Sequence, residues 1–447
     1  MKYFPHTPDD IAQMLQRIGA GSLDELFAEI PDELKLKREL DLPKAQSELE
    51  VRRTVKALAD KNCVLTCFAG AGVYDHYTPS VIPYITSRSE FSTSYTPYQA
   101  EISQGTLQYI FEYQTMMARL TGMDLSNASM YDGATATAEA MMMCVAAAKK
   151  RNRVLISGTM LPTTLAVVKT YARFHGVDLV EVAPTADGTT DKAQLSVLLE
   201  GGDVAGVIVP LTNYFGIIED LSGLAEACHA QKALLVVNSI ASVLGVLKSP
   251  SEWGADIACG DAQSLGIPMS YGGPYIGYLC TKDALVRKMP GRLVGQTTDA
   301  KGQRCFVLTM QAREQHIRRE KATSNICTAQ GMMCLYVAAY LSLMGAKGLN
   351  AVNETSAAGA HALCDALCQL PCFSLAFPTQ PFLNEFTLKY TGALPLAELH
   401  DRLAEVGFLA GVIAQGSDDL LILAVTEQRT AEEVDALVKA VKSLTQC

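Results

Sequence analysis

The sequence predicts an α/β protein, with a large domain on a mostly parallel sheet, a C-terminal α+β domain and an N-terminal helical arm. Three observations carry this reading. Between 151 and 280 the apolar runs RVLIS, VDLVEV, VAGVIVP, ALLVVN, ADIAC and YIGYLC alternate with the helical patterns TTLAVVKTYARFHG, DKAQLSVLLEGG and LSGLAEACHAQK. Strands separated by helices imply parallel pairing with both sheet faces covered. The stretch 254–277 begins as the strand-like run Ile257, Ala258, Cys259 and then opens into a loop holding five glycines and two prolines. After 330 the pattern changes to helices interleaved with the strand-like segments FSLAF, FLNEFTLKY and DLLILAV, a separate α+β arrangement. The expected boundaries are 1–62 for the arm, 63–329 for the large domain and 330–447 for the small one.

Composition narrows the function classes. The chain has 447 residues, 49% apolar and 19% charged, enough to bury a large core. A net charge of -10 speaks against a general nucleic-acid surface. No apolar segment follows the opening MKYFPHTPDD, and no segment able to span a bilayer is expected. The expectation is a cytoplasmic chain, away from membranes, with its 13 cysteines kept as thiols. The nearest metal-like spacing, His361, Cys364, Cys368 and Cys372, steps by three and four along one helix. That reads as core packing, and no metal site is expected.

Taken in order, TPDDIAQMLQRIGAG carries Thr7 as a cap, Pro8 as first helical residue and Gly19 and Gly21 as a stop. SLDELFAEIP repeats the pattern over 22–31. Ser47 with Glu50 forms a capping box that opens a third helix. VLTCFAGAG reads as a strand entering a glycine turn, yet Gly70 and Gly72 lead to VYDHYTPS rather than to the third glycine and helix of a dinucleotide fingerprint. The segment 84–104 is polar and aromatic with little period. It is either a surface loop or a site wall offering Tyr95, Tyr98, Gln99 and Gln104. A strong helix follows over 105–123.

The turn Asp132, Gly133, Ala134, Thr135 opens an alanine- and methionine-rich helix. A glycine turn at a helix N-terminus can hold an anion, but a carboxylate there competes with one, and Asp132 can equally cap the helix. In a parallel sheet ligands gather at the carboxyl ends of the strands, which places NYFG (213–216), NSIAS (238–242) and DAQSLG (261–266) on one rim. No lysine occurs between Lys248 and Lys282, so that rim has no amine of its own. The segment 307–328 sets Arg313, His316, Arg318, Arg319 and Lys321 against only Glu314 and Glu320. It is either a solvated helix face or a clamp for phosphate or carboxylate. GMMCLYVAAYLSLMGAKGLNAV (331–352) reads as an apolar helix linking to another layer, and AAGAHALCDALCQL as a further helix.

The segments SRSEFSTSYTPYQAEISQGTLQ, NASMYDGATATAEA, GDAQSLGIPMSYGGPYIG, PGRLVG and LTMQAREQHIRREKATSNICTAQ closely resemble glycine decarboxylase, the P-protein of the glycine cleavage system, in its N-terminal half. The likeness covers nearly the whole chain, densest over 64–330. TNYFG stands where the family usually has PNFFG, a tolerable departure.

The resemblance implies the pyridoxal-phosphate (PLP) transferase fold shared by aminotransferases, fold type I. In these enzymes a lysine holds PLP as a Schiff base, and a carboxylate on the ring nitrogen makes the ring an electron sink. Here Gln263 or Ser264 stands at the lysine position, and Asn238 or a neighbour stands where the carboxylate is expected. The resemblance therefore implies the alpha subunit of a two-gene glycine dehydrogenase (aminomethyl-transferring), with no catalytic residue in this chain alone. The homologous beta subunit is expected to carry PLP, as α2β2, with glycine as substrate and the lipoyl group of H-protein as acceptor. Tyr95, Tyr98, Gln99 and Gln104 are the expected wall of the partner's site. Arg313, His316, Arg318 and Arg319 are the interface or anion candidates, and Asp132, Gly133, Ala134 and Thr135 a degenerate phosphate turn. Two alternatives stay open: a self-sufficient PLP enzyme using an unusual lysine such as Lys282 or Lys321, and a non-catalytic scaffold of the same fold.

Overall fold

The computed structural model describes residues 5–92, 96–322 and 324–445. The chain divides into two units, Met1–Cys63 and Val64–Cys447. In the first, Thr7 and Asp10 form a reciprocal capping box for the helix Pro8–Ile18, and Gly19 ends it in the left-handed conformation. Ser47 and Glu50 do the same at the start of Glu48–Ala59. The helix expected over 22–31 is a single 3-10 turn, Asp24–Phe27. None of these three elements buries a residue.

The second unit is organised by seven strands: β1 (Leu125–Ser126), β2 (Arg153–Ser157), β3 (Asp178–Val182), β4 (Val204–Pro210), β5 (Leu234–Ile240), β6 (Ile257–Asp261) and β7 (Gly277–Thr281). Their order across the sheet is β1-β7-β6-β5-β4-β2-β3. From β3 to β6 every pairing is parallel, while β7 and β1 add an antiparallel edge. Because successive side chains alternate across a strand, the continuous apolar runs feed two cores. Val236, Ile257 and Leu279 face the helices Gly133–Ala148 and Pro162–His175. Val237, Ala258 and Tyr278 face Leu107, Tyr113 and Met117 of the helix Gln104–Thr121. The mostly parallel, doubly covered sheet is as the sequence predicts.

Beyond it a hairpin pairs Leu293–Thr298 with Arg304–Thr309, and its last three residues open the charged region 307–328, read as a helix face or an anion clamp. The rest of that region is three short turns, Gln311–Arg313, Gln315–Arg318 and Arg319–Lys321. The two helices expected after 330 run together as Gly331–Cys368, bent at Gly345, which adopts φ 57° and ψ -171°. Glycine tolerates that backbone and lets the helix turn from one core to the next. Leu335, Val337 and Tyr340 enter the core of the large sheet, whereas Leu363, Cys364 and Leu367 enter that of a four-stranded antiparallel sheet. By length and composition alone this helix could cross a bilayer, and the uncharged run 322–346 that enters it corrects the expectation that no segment has that reach. Among the described residues no group of His, Cys, Asp and Glu could hold a metal ion.

Glu139 sits inside the helix Gly133–Ala148, 2% exposed. Burial pushes its carboxyl up to about 7 against the pull of a Ser324 hydrogen bond. A carboxyl raised in the folded state stabilises below its unfolded pKa, and that contribution is lost as pH rises through the folded one. Glu139→Gln is therefore expected to match the parent near about pH 5 and to exceed its stability by up to about 3 kcal/mol near about pH 8. Urea unfolding at the two pH values measures this, and a less stable variant at the higher pH refutes it.

Candidate functional site

At the carboxyl rim of the sheet, the segments after β5 and β6 meet: Ser264 Oγ accepts the Ser242 N–H at 3.2 Å. Gln263, 1% exposed, spends its amide on backbone. Its Oε1 accepts the Tyr74 N–H at 3.0 Å, and its Nε2 donates to the carbonyls of Tyr74 and Ile267 at 3.0 and 2.7 Å. Tyr74 in turn donates its hydroxyl to Glu385 at 2.9 Å, and Glu385 also accepts the Ala71 N–H at 2.5 Å. Glu385 begins a strand of the four-stranded sheet, Glu385–Tyr390. Gln263 is thus a latch between the rim and the 70–77 loop, and through it the second sheet. With its oxygen and nitrogen both committed to backbone of Tyr74 and Ile267, the amide leaves no reactive group there.

The turn before Gly133–Ala148 is closed from both sides. Asp132 caps the helix, its Oδ1 accepting the Thr135 N–H at 2.8 Å while Thr135 Oγ1 accepts the Asp132 N–H at 3.2 Å. Asp261, at the end of β6, accepts the Gly133 N–H at 3.0 Å and the Gln263 N–H at 2.7 Å. Burial pushes the Asp261 carboxyl up to about 7, with those two donors pulling the other way. The positive end of the helix is answered by two carboxylates of the chain itself, so a phosphate there meets repulsion. The turn Asp132, Gly133, Ala134, Thr135 forms a capping box. Asn238 donates to Thr137 Oγ1 at 2.8 Å and carries no charge to hold a pyridinium proton. These residues do not fit a covalently held PLP. Lys282 lies at the other end of β6, paired with Asp256 at 3.0 Å, and Lys321 lies on an exposed turn.

A second constellation gathers the remaining motifs. Arg292, from PGRLVG, is 5% exposed and donates from Nη2 to the Tyr98 hydroxyl at 2.8 Å, its guanidinium 5.2 Å from that ring. Tyr98 itself is 58% exposed, so the buried guanidinium meets a ring that reaches the surface. Arg292 Nε lies 3.8 Å from Glu314, and His316 Nδ1 lies 3.5 Å from the same carboxylate. Arg292 lines a cavity of about 240 Å³ with Thr96, Pro97, Tyr109, Thr328 and Gly331, at the start of the long helix.

The other predicted residues distribute unevenly. Tyr95 lies outside the described residues. Gln99 is exposed at the start of the 3-10 turn Ala100–Ile102. Gln104 is a clamp on the hairpin, exchanging two hydrogen bonds at 2.9 Å with the Phe306 backbone. Arg313 gives its donors to the carbonyls of Met289, Gly291 and Met310, so its guanidinium is structural rather than free. Arg318 and Arg319 are exposed and lie outside the cavity lining. Sequence reading passed over Arg292, although its motif was noted; a single arginine in a short loop gives no sign of burial.

The model of the glycine cleavage system P-protein family matches residues 1–441. A probable glycine dehydrogenase (decarboxylating) subunit 1 from Carboxydothermus hydrogenoformans is 48% identical over 98% of this chain and 99% of its own. The protein so named from Anoxybacillus flavithermus is 47% identical, over 98% of each chain. A crystal structure of glycine decarboxylase (P-protein), in inhibitor-bound form, superposes with a TM-score of 0.91 at 42% identity, covering 99% of this chain and 100% of that one. An alanine–glyoxylate aminotransferase from Nostoc sp. superposes at 0.63 with 16% identity, over 93% and 99% of the two chains, a likeness of fold alone. The fold is that of the PLP-dependent fold-type I enzymes.

Proposed function

The chain belongs to the glycine cleavage system P-protein family, and on that premise we propose that it is the subunit without cofactor in a two-subunit glycine decarboxylase. The family is PLP-dependent, and its subunit 1 naming implies a second subunit. The single observation that carries the reading is the rim: where a Schiff-base lysine would stand, Gln263 is buried and bound to the Tyr74 peptide. The homologous companion, as α2β2, carries PLP on its own lysine. That cofactor supplies the electron sink for loss of the glycine carboxyl as carbon dioxide, and the aminomethyl group passes to the lipoyl arm of H-protein. This chain contributes wall. Tyr98, held by Arg292, presents an aromatic face and Gln99 a neutral donor.

The test is exchange of the glycine carboxyl with bicarbonate. The purified chain with added PLP is expected to show none, and the companion is expected to restore it. Full exchange by this chain alone overturns the assignment.

A further inference from the structure

We infer that the cavity lined by Arg292 is a binding site for a small oxyanion, a carboxylate or a phosphate, held by that guanidinium and the first amides of the helix Gly331–Cys368. Three independent features converge on it. Arg292 is buried, its side chain 6% exposed, and its Nε has no hydrogen-bond partner. Glu314 at 3.8 Å neutralises that nitrogen at a distance but lies beyond hydrogen-bond reach, so the donor is still available. A buried guanidinium donor left unmatched is costly, and a ligand oxygen removes that cost.

The second feature is the helix end. Gly331 and Met332 line the same cavity, and no side chain among the described residues caps their turn. The uncapped amides and the macrodipole both favour negative charge there. The third is the charge balance. Arg313 secures the carbonyls of Met289 and Gly291, just before Arg292 in the chain. Among the described residues Glu314 is the one carboxylate within 4 Å of Arg292, and its charge also acts on Arg313, so one carboxylate serves two guanidiniums. The remaining walls combine apolar Tyr109, Ile110 and Val294 with the threonines Thr96, Thr106 and Thr328. At about 240 Å³ the space is smaller than the roughly 300–1,000 Å³ of drug-sized pockets, so it selects an anion of few atoms.

The site is complete within this chain, and its test uses the full chain without companion or PLP, so its failure leaves the subunit assignment untouched. Calorimetric titration with inorganic phosphate and with acetate is expected to give saturable binding of at least one, at one site per chain. Tighter phosphate identifies a phosphate source, and tighter acetate, displaced by glycine, identifies a substrate carboxylate. Arg292→Gln is expected to weaken binding about ten- to a hundred-fold, and Glu314→Gln to strengthen it several-fold, because charge-assisted hydrogen bonds carry about 1.5–3 kcal/mol. The opposed signs separate an anion site from general destabilisation, and Glu314→Gln remains informative where Arg292→Gln does not fold. Absence of binding by either anion, or unchanged affinity in Arg292→Gln, or weaker affinity in a folded Glu314→Gln, overturns the site.

Discussion

Gly260→Ala is expected to yield no folded chain. Gly260 lies in β6, opposite Ser239 of β5 on one side and Tyr278 of β7 on the other, in the interior of the sheet. Its φ is +153°, and a β-carbon there would overlap the Ser239 carbonyl oxygen and stand 2.9 Å from its carbon. The obstacle is backbone in a central strand, which cannot swing aside as a side chain would. Relief requires breaking the pairing between two parallel strands, and Ser239 is further held by Tyr278, whose hydroxyl donates to its carbonyl at 3.0 Å. The cost exceeds about 4 kcal/mol, a large part of the stability of an ordinary domain. Gly223→Ala is the control: its φ is +81°, but the new methyl meets nothing within 4 Å, so the penalty stays near about 1 kcal/mol. Soluble yield and circular-dichroism melting measure both. A Gly260→Ala chain that melts within a few degrees of the parent refutes this account of the sheet.

Elements fixed by local chemistry were legible. Thr7 with Asp10 and Ser47 with Glu50 are capping boxes in the sequence and in the structure, because each motif satisfies its own backbone. The doubly buried strands were legible because two covered faces leave an unbroken apolar run, as VAGVIVP shows with all seven residues buried. The hairpin around Asp299–Gly302 was not, since its second strand merges with the charged residues that follow it. Nor was the continuity of the helix 331–352 with the one after it, or the bend at Gly345 inside the first of them.

At the site, the missing lysine at the rim was visible as an absence of residues. What occupies its place was not. Gln263 and Tyr74 are 189 positions apart, and no period or spacing connects them. Gln104 and Arg313 read as free polar groups for the same reason: their partners, Phe306 and the carbonyls around Gly291, are set by tertiary approach. Arg292 is the converse case, a residue whose importance comes from burial alone.

The latch leads to the other large effect. Restoring the amine with Gln263→Lys is expected to produce neither an imine with PLP nor a stable chain. The amide makes three hydrogen bonds to backbone, two of them to the Tyr74 peptide, and an ammonium accepts nothing. The Tyr74 N–H would be left buried without a partner, and a cation would enter a position that is 1% exposed. Together these cost about 3–5 kcal/mol. Asp261, pushed up to about 7 by burial, is two residues away but already accepts the Gly133 and Gln263 N–H groups. It could offset part of the charge only by giving up those contacts. The phosphate turn remains closed by Asp132 and Asp261 whatever stands at 263, so an amine alone does not make a cofactor site. Thermal melting reads the first effect. Borohydride reduction followed by peptide mapping reads the second, and a pyridoxyl group recovered on residue 263 of a folded variant would show that the rim is one substitution from a working site.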